Sequence, residues 1–291
     1  MKSFLRWSAT LGLLGTALVS GALANVPEAL ALPEEQVVQR LRTVPVFMIA
    51  KADGGVLSQC LDPTNGQQVN CDNEKKVLVT PAFISQRDAQ TVLQRLRADN
   101  PNDGQNLQVI PRSLAEVYQQ LEQANREKKD SVAVDFLPVQ QQVESALALL
   151  RQNGRQVQRF NGVPLFVAKF KSENKYLTIP QGDDRVIPFF FDKEQAIALL
   201  DRFKQSQPNM ASDVEIQVMD LETVIQTLKT SNDPVLNKVL LVPSRESLEF
   251  LRTLQPTQPG SQQPSRNQPA NQRQNQPQQR QNQPQQRQDR R

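Results

Sequence analysis

The sequence predicts an α/β protein of mixed (α+β) sheets, built as a tandem duplication with pseudo-twofold symmetry. Three observations predict it. Thr-Val-Pro-Val-Phe at 43–47 returns as Gly-Val-Pro-Leu-Phe at 162–166, a shift of 164 − 45 = 119. Three later blocks return with one common shift, 188 − 81 = 107. They pair Pro81-Ala82-Phe83-Ile84 with Pro188-Phe189-Phe190-Phe191, Ala89/Val92/Leu93/Leu96 with Ala196/Leu199/Leu200/Phe203, and Leu114/Val117/Tyr118/Leu121 with Leu221/Val224/Ile225/Leu228. Short apolar runs bounded by turn residues also alternate with amphipathic stretches in both halves, which is the signature of strands and helices packed in layers.

Element by element, a short helix at 34–42 precedes the first strand. The strands 44–50 and 163–170 open the two units. Asp53-Gly54-Gly55 and Ser172-Glu173-Asn174 are turns that would return each strand as a hairpin. Third strands are expected at 76–84 and 186–191. Helices follow, with apolar residues at i, i+3, i+4 and i+7, and Ser85 and Asp192 stand where N-caps belong. Pro101 and Pro208 end both connections. Short strands at 107–110 and 215–219 lead to second helices, the first opened by Ser113 and Glu116 at capping-box spacing. Closing strands at 132–137 and 238–242 run into Pro138 and Pro243, and last helices at 139–153 and 244–254 follow. The pattern β-β-β-α-β-α-β-α is thus used twice. The stripe Val143, Ala146, Leu147 and Leu150 is expected to bridge the halves. Two sheets or one continuous sheet both fit this pattern.

The chain divides into a leader (1–31), a first repeat with the bridging helix (32–153), a second repeat (154–255) and a tail (256–291). Lys2 and Arg6 precede the apolar run from Trp7 to Leu23, and small residues allow cleavage after Ala24 or Ala31. This is the layout of a secretory signal peptide. No other stretch is apolar enough to span a bilayer, so a soluble, exported mature protein is expected, in the periplasm or alternatively in the thylakoid lumen. Cys60 and Cys71 are the two cysteines, separated by turn-forming and polar residues. In an oxidising compartment this spacing points to a disulfide stapling a loop, with free thiols as the alternative. The second half has no cysteine, so the staple belongs to one repeat. The tail repeats glutamine, proline and arginine, with Arg273, Arg280 and Arg287 seven apart. Pro277 and Pro284 and the lack of apolar seam residues exclude a coiled coil and leave a disordered tail.

Charge and composition narrow the function. The tail holds six arginines against Asp289, the leader adds Lys2 and Arg6, and the whole chain is +4, so the rest is −3. Basic charge is absent from the expected fold, which argues against nucleic acid and leaves peripheral attraction of the tail to anionic lipid or cell wall. There is no histidine, which removes histidine-based triads and metal sites. No phosphate-binding glycine loop occurs, so no nucleotide cofactor is expected. Carboxylates remain: Asp53, Asp62, Asp72 and Glu74 near the cysteines, and Asp183-Asp184 in the second half. A glycosidase would also need aromatic platforms, and the single tryptophan, Trp7, lies in the leader. No enzymatic activity, metal or cofactor is therefore expected. In the strand at 186–191, Ile187, Phe189 and Phe191 share one face and Phe190 the other. A strand buried on both sides explains this run. The competing reading is a groove for apolar segments of another protein, lined by Ile187, Phe189 and Phe191 and by the equivalent Ala82 and Ile84.

The leader running into Leu32-Pro33-Glu34-Glu35-Gln36-Val37, the Val44-Pro45-Val46-Phe47 strand, the Val186-to-Phe191 strand and the duplication together resemble the Tic-twenty-two (Tic22) family. That family comprises a soluble component of the inner chloroplast-envelope translocon and cyanobacterial relatives. The resemblance spans about residues 32–254. It implies a butterfly-like α/β molecule with apolar pockets and no catalytic residues. It also implies a chaperone-like role in protein transport, in the periplasm or the plastid intermembrane space. The expected partners are unfolded or translocating polypeptides, including outer-membrane proteins, and a barrel-assembly protein of the Omp-eighty-five type. The cysteine loop and the tail are not part of that pattern. The main competing function is an envelope-binding structural module acting through the basic tail. A carboxylate hydrolase is the third.

Overall fold

The computed structural model describes residues 32–254, apart from Glu74, residues 128–130, Asn174 and Asn232. The expected leader and tail lie outside the described residues. The chain runs through α1 (Glu34–Leu41), β1 (Pro45–Lys51), β2 (Gln59–Leu61), β3 (Val77–Phe83), α2 (Gln86–Asp99) and the single turn α3 (Pro101–Gly104). It continues through β4 (Leu107–Ser113), α4 (Leu114–Glu127), β5 (Ser131–Leu137) and α5 (Gln140–Gln152). The second half repeats the order from β6 (Pro164–Phe170), β7 (Ile179–Gln181) and β8 (Asp184–Phe190) through α6 (Lys193–Ser206) and a 3-10 turn (Pro208–Asp213). It closes with β9 (Val214–Asp220), α7 (Leu221–Thr230), β10 (Val239–Val242) and α8 (Arg245–Leu254).

There are two sheets, one per half, and both are mixed. β1 pairs antiparallel with β4 over its whole length, from Pro45 opposite Ser113 to Lys51 opposite Leu107. β5 pairs parallel with every residue of β3. A strand has two edges, so β2 and β1 share the other edge of β3: β2 lies beside Val77–Val79, and Phe47 of β1 faces Phe83. The second sheet matches, with β6 on β9, β10 parallel to β8, β7 beside the start of β8 and Phe166 opposite Phe190.

This pairing corrects two expectations. The hairpins after β1 and β6 are only short reversals. Ala50 bridges Val56 and Lys169 bridges Tyr176, after which β2 and β7 leave for β3 and β8. The strand expected at 107–110 extends through Pro111 to Ser113, because β1 offers a partner along that whole length.

Strand alternation divides the interior into three clusters. Val46, Met48, Leu165 and Val167 point into a central cluster that both halves share with α1, α4 and α7. Phe47, Ile49 and Phe83 point outward to Ala89 and Leu93 of α2. Phe166, Ala168 and Phe190 point outward to Ala196 and Leu200 of α6.

Each outer face is completed by a helix from the other half. α5, expected to pack on both halves, rests chiefly on α6, β6 and β9, and Ala146 and Leu149 join the second outer cluster. α8 closes the second half, yet its Phe250 stands edge-on to Phe47 in the first, with ring centroids 5.1 Å apart. The caps follow the same exchange. Gln142 of α5 accepts from the Lys193 N–H (3.0 Å) and donates to Glu194 (3.0 Å), which holds the start of α6. Glu246 of α8 accepts from the Arg87 N–H (2.9 Å) and the Ser85 hydroxyl (3.0 Å), which holds the start of α2. Ser85 also caps α2 itself through the Asp88 N–H. Asp192, expected to cap α6, instead accepts from the Arg245 N–H (2.8 Å) at the start of α8. The exchange explains why the halves make one body from two sheets.

Candidate functional site

Of the acids singled out in the sequence, Asp53 and Asp62 bond within their own loops, and Asp183 and Asp184 line a recess of the second half. Asp53 accepts from the Gly55 N–H, and Asp62 accepts from the Thr64 N–H and hydroxyl. The Thr64 hydrogen bonds hold the Asp62 carboxyl below its ordinary range. Such local bonds are what loop acids make when they stabilise turns. Glu74 lies outside the described residues. No group of three or more Cys, Asp or Glu side chains among the described residues is arranged to hold a metal ion. Cys60 and Cys71 are joined in a disulfide. It closes an exposed loop that is also held by the Val69 N–H on the Cys60 carbonyl and the Asp62 N–H on the Gln67 carbonyl (both 2.8 Å).

The strand residues weighed as a groove are core. Ala82, Ile84, Ile187, Phe189 and Phe191 are at most 3 % exposed and all belong to the central cluster. Extracting a buried side chain of this size costs about 1.5–3 kcal/mol, so these faces are held closed rather than offered to a ligand. The step from Phe189 to Ala82 is compensated on the neighbouring strand. Ala82 lies beside Phe136 of β5, whereas Phe189 lies beside Leu241 of β10. Phe189 also meets the Tyr176 ring at 5.9 Å.

An open apolar groove lies beside that core, where α4, β5 and α7 meet, with a volume of about 360 Å³. Buried Tyr118 and Phe136 form its floor. Half-buried Leu121, Val132, Val134 and Ile225 form its walls. Periodicity places them there. Tyr118 and Leu121 lie on the inward stripe of α4 and Ile225 on that of α7, while β5 is an edge strand paired only with β3. The rim is polar. Lys229 is 2.8 Å from Glu122 and 5.6 Å from the centre of the Tyr118 ring. Desolvation, followed by the charges of Glu122 and Glu34, pushes the Tyr118 hydroxyl up to about 12, so it stays neutral. At the opposite rim, desolvation, then Asp220 and Asp135, raises the Glu222 carboxyl. The groove can take up apolar side chains, and its acids favour a cation at one end. Nothing in it resembles a nucleophile with a base.

Sequence reasoning assigned Leu121 and Ile225 to the core and missed the groove. One signal for it was present: the shift of 107 places Glu222 on Ala115, a carboxylate where the other half has a buried alanine. A second recess of about 360 Å³ lies between Pro45, Pro111 and Phe250, beside Leu254, which is 58 % exposed. No helix among the described residues is long and apolar enough to cross a membrane.

The profile of the family described as Tic22-like matches residues 1–253. Among solved structures, the chain is similar to the one titled "Anabaena Tic22 (protein transport)", with 35% sequence identity and a TM-score of 0.66, covering 77% of this chain and 99% of that one. It shares its fold with "Tic22 from Plasmodium falciparum" at 20% identity and a TM-score of 0.51, covering 75% of this chain and 96% of that one. No curated protein matches.

Proposed function

Because this chain belongs to the Tic22-like family, we propose that it is an exported, periplasmic protein-transport factor that binds apolar segments of translocating or outer-membrane polypeptides in the manner of a chaperone. The observation that carries this reading is the open groove between α4, β5 and α7, apolar within and charged at its rim. Pre-formed apolar clefts suit weak capture of many sequences, and a polar rim keeps the empty protein from self-association. The description of the similar Anabaena structure as a protein-transport protein supports the reading, as does the leader-like pattern of residues 1–31. Delivery to a barrel-assembly protein of the Omp-eighty-five type belongs to the same proposal.

The test is a client-protection assay with the mature chain and with a chain ending at residue 255. Suppressed aggregation of a denatured outer-membrane barrel protein by both chains supports a chaperone body. If neither chain protects the client and envelope association disappears with residues 256–291, the envelope-binding reading replaces it.

A further inference from the structure

The open groove has a counterpart across the repeat, and the counterpart is filled. The 107-residue shift carries Tyr118 to Ile225 and Leu121 to Leu228, and it exchanges α4 with α7. Glu122 and Lys229, which form the ion pair between these helices, are themselves related by it (229 − 122 = 107). β5 and β10 correspond as the parallel edge strands of their sheets. The open groove of α4, α7 and β5 therefore corresponds to a groove of α7, α4 and β10. α1 lies in that second groove and packs on those same three elements.

α1 shows what such a groove accepts. It is a two-turn amphipathic helix whose Val37, Val38 and Leu41 are buried in the central cluster. Its first turn reaches the end of α4, where Glu34 pairs with Arg126 at 2.9 Å. Its last turn lies at the start of α4, where the Leu114 N–H bonds the Val44 carbonyl. Arg40 donates to the Leu236 and Asn237 carbonyls ahead of β10. In the second half the stretch before β6 has no helix. Residues 153–163 form turns and coil, and Gly154 and Gly162 have φ of 78° and 82°. The helix that would fill the open groove is missing from this chain at the place where the repeat calls for it.

We infer that the open groove between α4, β5 and α7 seats a short amphipathic helix of a transported polypeptide, in the pose that α1 takes in the corresponding groove, with a basic last turn beside Glu222. This rests on the transport reading above and specifies the conformation and charge of the bound segment. The charge follows from the correspondence. The last turn of α1 lies at the end of α4 that carries Ala115, and Glu222 stands at that position in the open groove. A helix seated there brings its negative end toward Glu222, and its basic residues offset the repulsion. α1 itself ends in Arg40 and Arg42.

The probe is a labelled peptide of residues 32–43, with Gln39→Lys joined to Glu35 by a lactam across the exposed face of the helix. The mature protein should bind it, and a photoreactive group at its Leu41 position should mark residues 121–125, 132–136 and 222–229. Val132→Trp, on the half-buried wall of the edge strand, should weaken binding about tenfold by filling the groove. Glu222→Lys should weaken it about two- to fivefold, and a peptide with both Arg40→Glu and Arg42→Glu should recover it. A structural defect would not produce that charge-swapped recovery. Binding unchanged by both variants overturns the inference. So does a protein that dimerises alone with its own residues 34–41 crosslinked in the groove, which makes a second copy the occupant. If denatured clients are protected while the helical peptide does not bind, this inference falls and the transport reading stands. If neither binds, both fall.

Discussion

The two halves share strand order and nearly share register, yet each is completed by different means. The first half has the Cys60–Cys71 staple, and its outer face, packed on its own α2, is completed by Phe250 of α8 from the second. The second half has no staple, and its outer face is covered by α5 from the first. At the centre, α1 fills the groove beside β10 and leaves the one beside β5 open. The difference teaches that repeated residues build the scaffold, while pieces used only once decide which surfaces stay exposed. A binding site is more readily found where the repeat is left unfinished than where it is most faithfully kept.

The strongest way to break the comparison is in the paired cores. Phe47→Ala and Phe166→Ala each remove a fully buried ring and should cost about 3–5 kcal/mol in urea unfolding. Phe250→Ala should depress stability together with Phe47→Ala by less than the sum of the two, because their rings meet at 5.1 Å. Full additivity in that double-mutant cycle would argue against the helix exchange. Next in size is the staple. Reduction, or Cys60→Ser with Cys71→Ser, should cost about 2–3 kcal/mol, read from the denaturant midpoint of oxidised and reduced protein.

The exchanged caps should have matched, smaller effects. Gln142→Ala and Glu246→Ala each leave helix N–H groups unpaired and should cost about 1–2 kcal/mol. A large loss for one and none for the other would show that the exchange is not reciprocal in energy. The smallest effect concerns pH. Desolvation raises the Asp192 carboxyl in the folded state, so its contribution is fully present below its unfolded value of about 4 and is lost as pH rises through the folded one. Asp192→Asn keeps an oxygen for the Arg245 N–H. Relative to the parent protein, it should therefore be less stable at pH 3 than at pH 7, as read in paired titrations.

Much of the fold was legible because apolar periodicity is a local signal. The stripe Ala89, Leu93 and Leu96 and its echo at Ala196, Leu200 and Phe203 mark α2 and α6 directly, and turn residues bound the strands. The shared faces of Ile187, Phe189 and Phe191 were also legible, but whether that face lined a groove or a core was not. Periodicity reports that a face is apolar and is silent about what covers it. Covering is decided by distant elements, here the inner face of the other sheet with α1, α4 and α7. Asp192 makes the same point. Its position announced a helix cap, and only the docking of Arg245 decided which helix it serves.

The sequence by itself determined the repeated pattern of apolar blocks, the order of most elements, the two cysteines that a staple could join, and the lack of histidine chemistry. Each follows from residue identity and spacing along the chain. Only the tertiary structure decided that there are two mixed sheets, that α5 and α8 cross to the opposite halves, and that α1 closes one central groove while its counterpart stays open. Those choices depend on contacts between residues far apart in the chain, from Gln142 with Glu194, 52 positions away, to Arg40 with Leu236, 196 away, whose energies exist only once the chain has brought them together.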